Sequence, residues 1–193
     1  MLTNYYLCPM SNLSQHIDSL IKKGGYKQSD IAKAIGAHRQ LLSSVIMGKR
    51  ELSMQMALKL ESFFNLPEGK LIKMQVENSI SRYKYNLKTD LVKELNKVNA
   101  FWSYANVSAD NISDEELIEK TLIYLDMKDI SKLFELYKRD YIRMVWRENM
   151  VIQGDYLFNL NVMIAMFYFD IKEPEQYLRK AENSLIKQKL RDA

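Results

Sequence analysis

Apolar residues recur every three or four positions along most of this chain, and the pattern predicts helices almost throughout. Leu13, Ile17, Leu20 and Ile21 outline a first helix, with Ser11 or Asn12 as its cap and Gly24 and Gly25 as its stop. Ile31 and Ile35, then Leu42 and Val45, mark two short helices on either side of Gly36. Ser53 can cap a helix through Phe64, with Met56, Ala57, Leu60, Phe63 and Phe64 inward. Pro67 suits the first turn of a fifth helix, whose apolar side is Leu71, Ile72 and Val76 and whose end lies near Asn78. The stretch 79–99 is polar apart from Leu87, Leu91, Leu95 and Val98, the mark of an amphipathic helix that links two halves or pairs with a second copy. Further on, Ser113 and Glu116 form a capping box before Leu117, Ile118, Leu122 and Leu125. Asp129 opens a helix with Ile130, Leu133, Phe134 and Tyr137 that continues through Tyr141, Ile142, Val145 and Trp146. Gly154 breaks the pattern, 156–169 is apolar almost all round, and Pro174 starts the last helix. The expected fold is all-α: a domain over 1–80, a linker helix over 81–99 and a helical domain over 100–193.

Composition narrows the class. At 193 residues and 47% hydrophobic, the chain can bury a real core. One cysteine, Cys8, excludes an intramolecular disulfide and favours a cytoplasmic protein. The first ten residues lack the basic lead and apolar core of a secretory signal, and the most apolar run, 162–169, is too short to span a bilayer, so no membrane association is expected. Charge is uneven. Up to Asp90 there are 13 Lys and Arg against 7 Asp and Glu, and from Leu91 onward 15 against 17. A polyanion partner for the first half and a protein partner for the second would suit that asymmetry.

The stretch 27–50, KQSDIAKAIGAHRQLLSSVIMGKR, reads as two short helices joined by a tight turn. Ala32 is small where two helix axes cross closely, and Gly36 suits the positive φ of the turn. Ile31, Ile35, Leu42 and Val45 can pack together and set the angle between the helices. His38, Arg39, Gln40, Ser43, Ser44 and Met47 are then left outward on the second helix. This is a helix-turn-helix whose second helix is shaped for a DNA major groove. Arg can bind guanine O6 and N7, and Gln adenine N6 and N7, so His38, Arg39, Gln40, Ser43 and Ser44 are the candidate base contacts. Lys27, Gln28, Lys49 and Arg50 are candidate phosphate contacts, which position a protein without reading sequence. For all of these the bland alternative is an ordinary solvated surface.

Residues 11–78 resemble the lambda-repressor-like (XRE) family, and most of all its HigA-type plasmid-maintenance antidote branch. The matching residues are Gln28, Ala32, Gly36, Leu42, Gly48-Lys49-Arg50, Ala57-Leu58-Lys59-Leu60, and Gln75 after the last helix. The resemblance implies a five-helix domain in which the start of the second helix touches phosphate and the exposed face of the third reads bases. Lys27 stands where the family often has Thr, so a hydroxyl cap is lost and a cation gained. Through Phe101-Trp102-Ser103-Tyr104 and its later aromatic helix, the C-terminal half resembles small antitoxin-like proteins encoded beside nucleotidyltransferase-type toxins.

The remaining patterns carry less. Arg139, Arg143 and Arg147 are four apart and would line one face of an unbroken helix, as a stripe for an acidic partner or as ion-pairing partners starting with Glu135. Phe101, Trp102 and Tyr104 could anchor a partner or fill a core. Met163, Met166, Phe167, Tyr168 and Phe169 read as core or dimer contact. His16 and His38 have no ligands at metal spacing, and no phosphate loop or nucleophile elbow occurs, so no enzyme, metal or cofactor is expected. Together these features predict a repressor that binds double-stranded DNA as a homodimer, with a toxin as possible partner. The rivals are a stand-alone regulator of a phage or mobile element whose C-terminal half only self-associates and, behind it, an enzyme of unrecognised type, for which the chain offers no catalytic groups.

Overall fold

The computed structural model describes residues 12–102 and 106–192, and all regular structure among them is helical. Ser11, Cys8, Ser103 and Tyr104 lie outside the described residues. The chain divides into two compact units, Met1–Tyr83 and Lys84–Ala193. The first holds α1 (Asn12–Lys23), α2 (Gln28–Ala34), α3 (Arg39–Ile46), α4 (Met54–Phe63) and the first half of α5 (Lys70–Lys97). The second holds the rest of α5, then α6 (Asp114–Tyr124), α7 (Met127–Leu136), α8 (Arg139–Val145), α9 (Phe158–Phe169) and α10 (Pro174–Asp192).

In the first unit the predicted apolar positions converge. Leu13, Ile17 and Ile21 of α1, Ile31, Ala32 and Ile35 around α2, Leu42, Val45 and Ile46 of α3, and Met56, Ala57 and Leu60 of α4 share one core with Leu52 and Leu71. Gly36 (φ 63°) and Gly48 (φ 68°) take left-handed backbone at the ends of α2 and α3, where a Cβ would be strained. Ser53 caps α4 by accepting from the Met56 N–H. Buried Glu61 accepts from the N–H groups of Gly69 at 2.8 Å and Leu71 at 2.6 Å, tying α4 to the start of α5 where helix donors lack partners.

Three expectations change around α5. Pro67 lies in a turn before the helix, whose first residue is Lys70. The expected fifth helix and linker helix form one run of 28 residues, because the polar stretch between them holds no Gly or Pro to stop it. Gln75 is therefore inside the helix, accepting from the Leu52 N–H at 3.0 Å, and Val76 is exposed instead of packed.

The second unit gathers Leu91, Val92 and Leu95 of α5 with Leu117, Ile118, Leu122, Ile130, Leu133, Ile142, Val145, Ile164 and Ala165 around fully buried Trp146. Val98, expected to pack with the leucines, is exposed. The Trp146 indole N–H donates to Asn161 Oδ1 at 2.8 Å, and Asn161 Nδ2 donates to the Met150 carbonyl at 3.2 Å, tying a π-helical turn over Trp146–Met150 to α9. Ser113 caps α6 and Asp126 caps α7, so α7 starts two residues before Asp129.

The helix expected to continue from Asp129 through Trp146 is broken. Tyr137 and Lys138 have extended backbone between α7 and α8, and the Tyr137 hydroxyl donates to Asp114 at 2.6 Å. A tertiary bond here outweighs local helical periodicity. The run Arg139–Phe169 has the length and hydropathy of a membrane span, but Gly154 (φ 60°, ψ −131°) turns the chain inside it. That bend precludes one straight spanning helix.

Candidate nucleic-acid interface

Helices α2 and α3 are held by the core side chains Ile31, Ala32, Leu42, Val45 and Ile46, which leave the opposite face of α3 to solvent. His38 is the residue before α3 and is exposed, with extended backbone and no capping bond from its side chain. Arg39 and Gln40 follow in the first turn, both exposed. One helical turn on, Ser43 and Ser44 are half-buried, and these two line a shallow open depression with Arg39 and Gln40. The structure thus brings four of the five candidate base contacts to one surface, with His38 at its edge.

Two of these groups already have partners. The Ser44 hydroxyl donates to the Gln40 carbonyl at 2.8 Å, leaving its lone pairs to accept from outside. The Ser43 hydroxyl lies 3.9 Å from the sulfur of exposed Met47.

Lys27 and Gln28 mark the start of α2. Lys27 occupies its N-cap with no side-chain cap bond, consistent with the missing hydroxyl, and is exposed. Gln28 is the first helical residue and half-buried. Lys49 and Arg50 come after Met47 and Gly48 at the end of α3, their N–H groups donating to the Ser44 carbonyl at 2.9 and 3.2 Å while their side chains stay exposed. Lys23 and Lys33, which the motif does not include, add exposed charge in the same stretch, whereas Lys22 is paired with Asp18 at 2.6 Å. From Lys23 to Arg50 the chain has six Lys and Arg against a single acid, Asp30. Such a density of exposed cations beside a helix N-terminus attracts polyanions.

Buried Glu61, which fixes α4 against α5, was also missed, since nothing in local periodicity distinguishes it from a solvated acid. His16 of α1 has its Nε2 buried and lacking a hydrogen-bond partner among the described residues. Burial, helped by Lys70 and Lys23, holds its imidazole below the ordinary value.

Of the three arginines of the second unit, Arg139 and Arg143 share α8 and Arg147 falls in the π-helical turn that follows. Arg139 donates to the Tyr168 carbonyl and pairs with Asp170, closing the C-terminal end of α9. Arg143 lies over the rings of Phe169 and Tyr177, at 5.8 and 5.6 Å from their centroids. Arg147 sits in the π-helical turn with its Nε buried. Glu135 and Arg139 stand on different helices, so the expected intrahelical pairing does not arise. Phe101 is core, whereas Trp102 is 83% exposed.

Residues 17–71 match the helix-turn-helix family model. The match covers α2 and α3 whole and supports the lambda-repressor-like (XRE) family, whose members are DNA-binding regulators and not enzymes. It stops at Leu71, leaving the second unit outside it. No curated protein and no solved structure matches the chain.

Proposed function

We propose that the protein is a sequence-specific transcriptional repressor that reads double-stranded DNA with α3. It binds an inverted repeat as a homodimer and acts as the antitoxin of an operon that it represses itself. The observation that carries the DNA-binding reading is the face of α3. Apolar residues lock one side into the core while His38, Arg39, Gln40, Ser43 and Ser44 stand on the other, within a strongly basic stretch. Arg39 and Gln40 supply base-edge contacts, and Lys27, Gln28, Lys49 and Arg50 bind phosphate on either side. In a two-fold dimer the two α3 helices enter successive major grooves about 34 Å apart. Such a protein works in the cytoplasm, at the nucleoid.

The antitoxin role is supported by the asymmetry between the units. The second has 17 Lys and Arg against 18 Asp and Glu, so it adds no attraction for DNA and is free to serve a protein partner. Selection of bound sequences from a random pool, followed by anisotropy titration, tests the first reading: a single enriched inverted repeat is expected, and equal binding to all sequences would sink it. Co-expression with the product of the neighbouring gene tests the second. A product that is harmless alone and never co-purifies would leave a stand-alone regulator instead.

A further inference from the structure

Helix α9 has no charged side chain from Phe158 to Phe169. Its inner face is occupied, with Asn161, Ile164, Ala165 and Phe169 buried. Its outer face is open: Met163 is 54% exposed, Met166 53% and Phe167 63%. At 100° per residue these three fall in one arc with exposed Asn159, flanked by half-buried Leu160 and Val162. A helix that is apolar on every side belongs inside a larger body, and this chain supplies cover for one side.

We propose that a second copy of the chain covers this face, α9 packing on α9 across a two-fold axis. The proposal rests on the dimeric DNA-binding reading, which calls for a two-fold partner, and supplies the surface that reading lacks. Two features favour a second copy as occupant. Near a two-fold axis each residue meets its own kind, so a charged face would oppose itself. Here the acids that flank α9 along the chain, Asp155 and Asp170, lie beyond its ends and are paired within the chain to Arg179 and Arg139.

Area is the second feature. At about 200 Å² for a fully exposed large side chain, the three residues leave roughly 340 Å² of apolar surface open per copy. Two copies would bury roughly 700 Å², a little under half of a standard interface of about 1,600 Å². A specific contact needs at least about 1,000 Å², so the rim around Asn159, Leu160 and Val162 would supply the remainder. A lipid surface fits less well, because membrane-lying helices carry Lys and Arg along their polar side and acids flank this one.

Sedimentation of the full chain over a concentration series tests the proposal with Phe167→Glu, Met163→Lys and the conservative Phe167→Leu. The wild type is expected to be dimeric, both charged variants to weaken dimerisation at least 100-fold, and Phe167→Leu to stay near wild type. Thermal midpoints by circular dichroism should hold, since the altered side chains face outward. The charged variants should also bind a DNA half-site as the wild type does while losing the extra affinity for the full inverted repeat. Wild-type dimerisation in both charged variants would overturn the proposal whatever the DNA result. So would a monomeric wild type, or one that binds phosphatidylglycerol vesicles through Phe167 without changing its own mass. A wild type that ignores DNA but loses its dimer in Phe167→Glu would sink the regulatory reading and leave this interface standing.

Discussion

Helices α3 and α9 are built alike on the inside and oppositely on the outside. Each buries an aliphatic seam, Leu42, Val45 and Ile46 in one and Ile164 and Ala165 with Phe169 in the other. Outward, α3 presents Arg, Gln and two Ser, whereas α9 presents two Met and a Phe. The inner seams set each helix in place and say nothing of purpose. The outer faces differ in what can satisfy them: hydrogen-bonding groups beside cations suit a hydrated, anionic groove, and bare apolar atoms suit another protein surface.

The deepest break in that comparison comes from the shared inner seam. Leu42→Ala should cost about 2–5 kcal/mol of stability in the first unit, read from urea denaturation, and take DNA binding with it. Arg39→Ala with Gln40→Ala should change stability by less than about 0.5 kcal/mol, as solvent-facing substitutions do. Discrimination of the cognate site from random DNA should nevertheless fall by about 1–3 kcal/mol per lost base contact. Unaltered specificity in a competition assay would remove the base-reading role from α3.

Smaller effects separate positioning from reading. Lys49→Ala should weaken cognate and random DNA alike and lower the salt slope of binding by about 1, measured by titration across a salt series. A selective loss for the cognate site would show instead that Lys49 reads bases.

The gentlest contrast is in pH. In the first unit the His16 imidazole is depressed by burial with Lys70 and Lys23 nearby. The unfolded chain therefore binds the proton more readily, so stability is fully present above the ordinary value of 6.5 and declines as pH falls below it. In the second unit, burial pushes the Asp114 carboxyl up, but hydrogen bonds from Tyr137 and Lys88 outweigh it and leave it depressed. Its contribution is present above the ordinary value of 3.8 and is lost as pH falls through the folded value. Unit-specific probes in acid titration should show His16→Gln flattening the milder phase and Asp114→Asn the more acidic one. Identical profiles for wild type and variants would refute both assignments.

Much of the first unit was legible because its elements are short and locally punctuated. Gly36, Gly48 and Ser53 state where helices stop and start, and Ile31, Ala32, Leu42 and Val45 repeat at helical spacing. The second unit was harder. Its apolar residues are so dense that periodicity does not choose a face, so Met163, Met166 and Phe167 look the same in sequence as Ile164 and Phe169. The arginine spacing was ambiguous for a related reason: Arg139 and Arg143 share α8, but Arg147 falls in the π-helical turn, and Tyr137 leaves the helix ahead of them for a bond to Asp114, which puts Glu135 on a different helix.

By itself, then, the sequence determined the all-helical class, the helices of the first unit up to Phe63, the turn at Gly36, the polar composition of α3 and the excess of positive charge before Asp90, since each follows from neighbours within a few residues. Tertiary structure alone decided that the chain leaves the helix at Tyr137, that Glu61 and Gln75 hold the first unit together, that Arg139 ties down the end of α9, and which side of α9 stays bare. Those outcomes hang on contacts between residues distant along the chain, whose energies outweigh the local preferences that periodicity records.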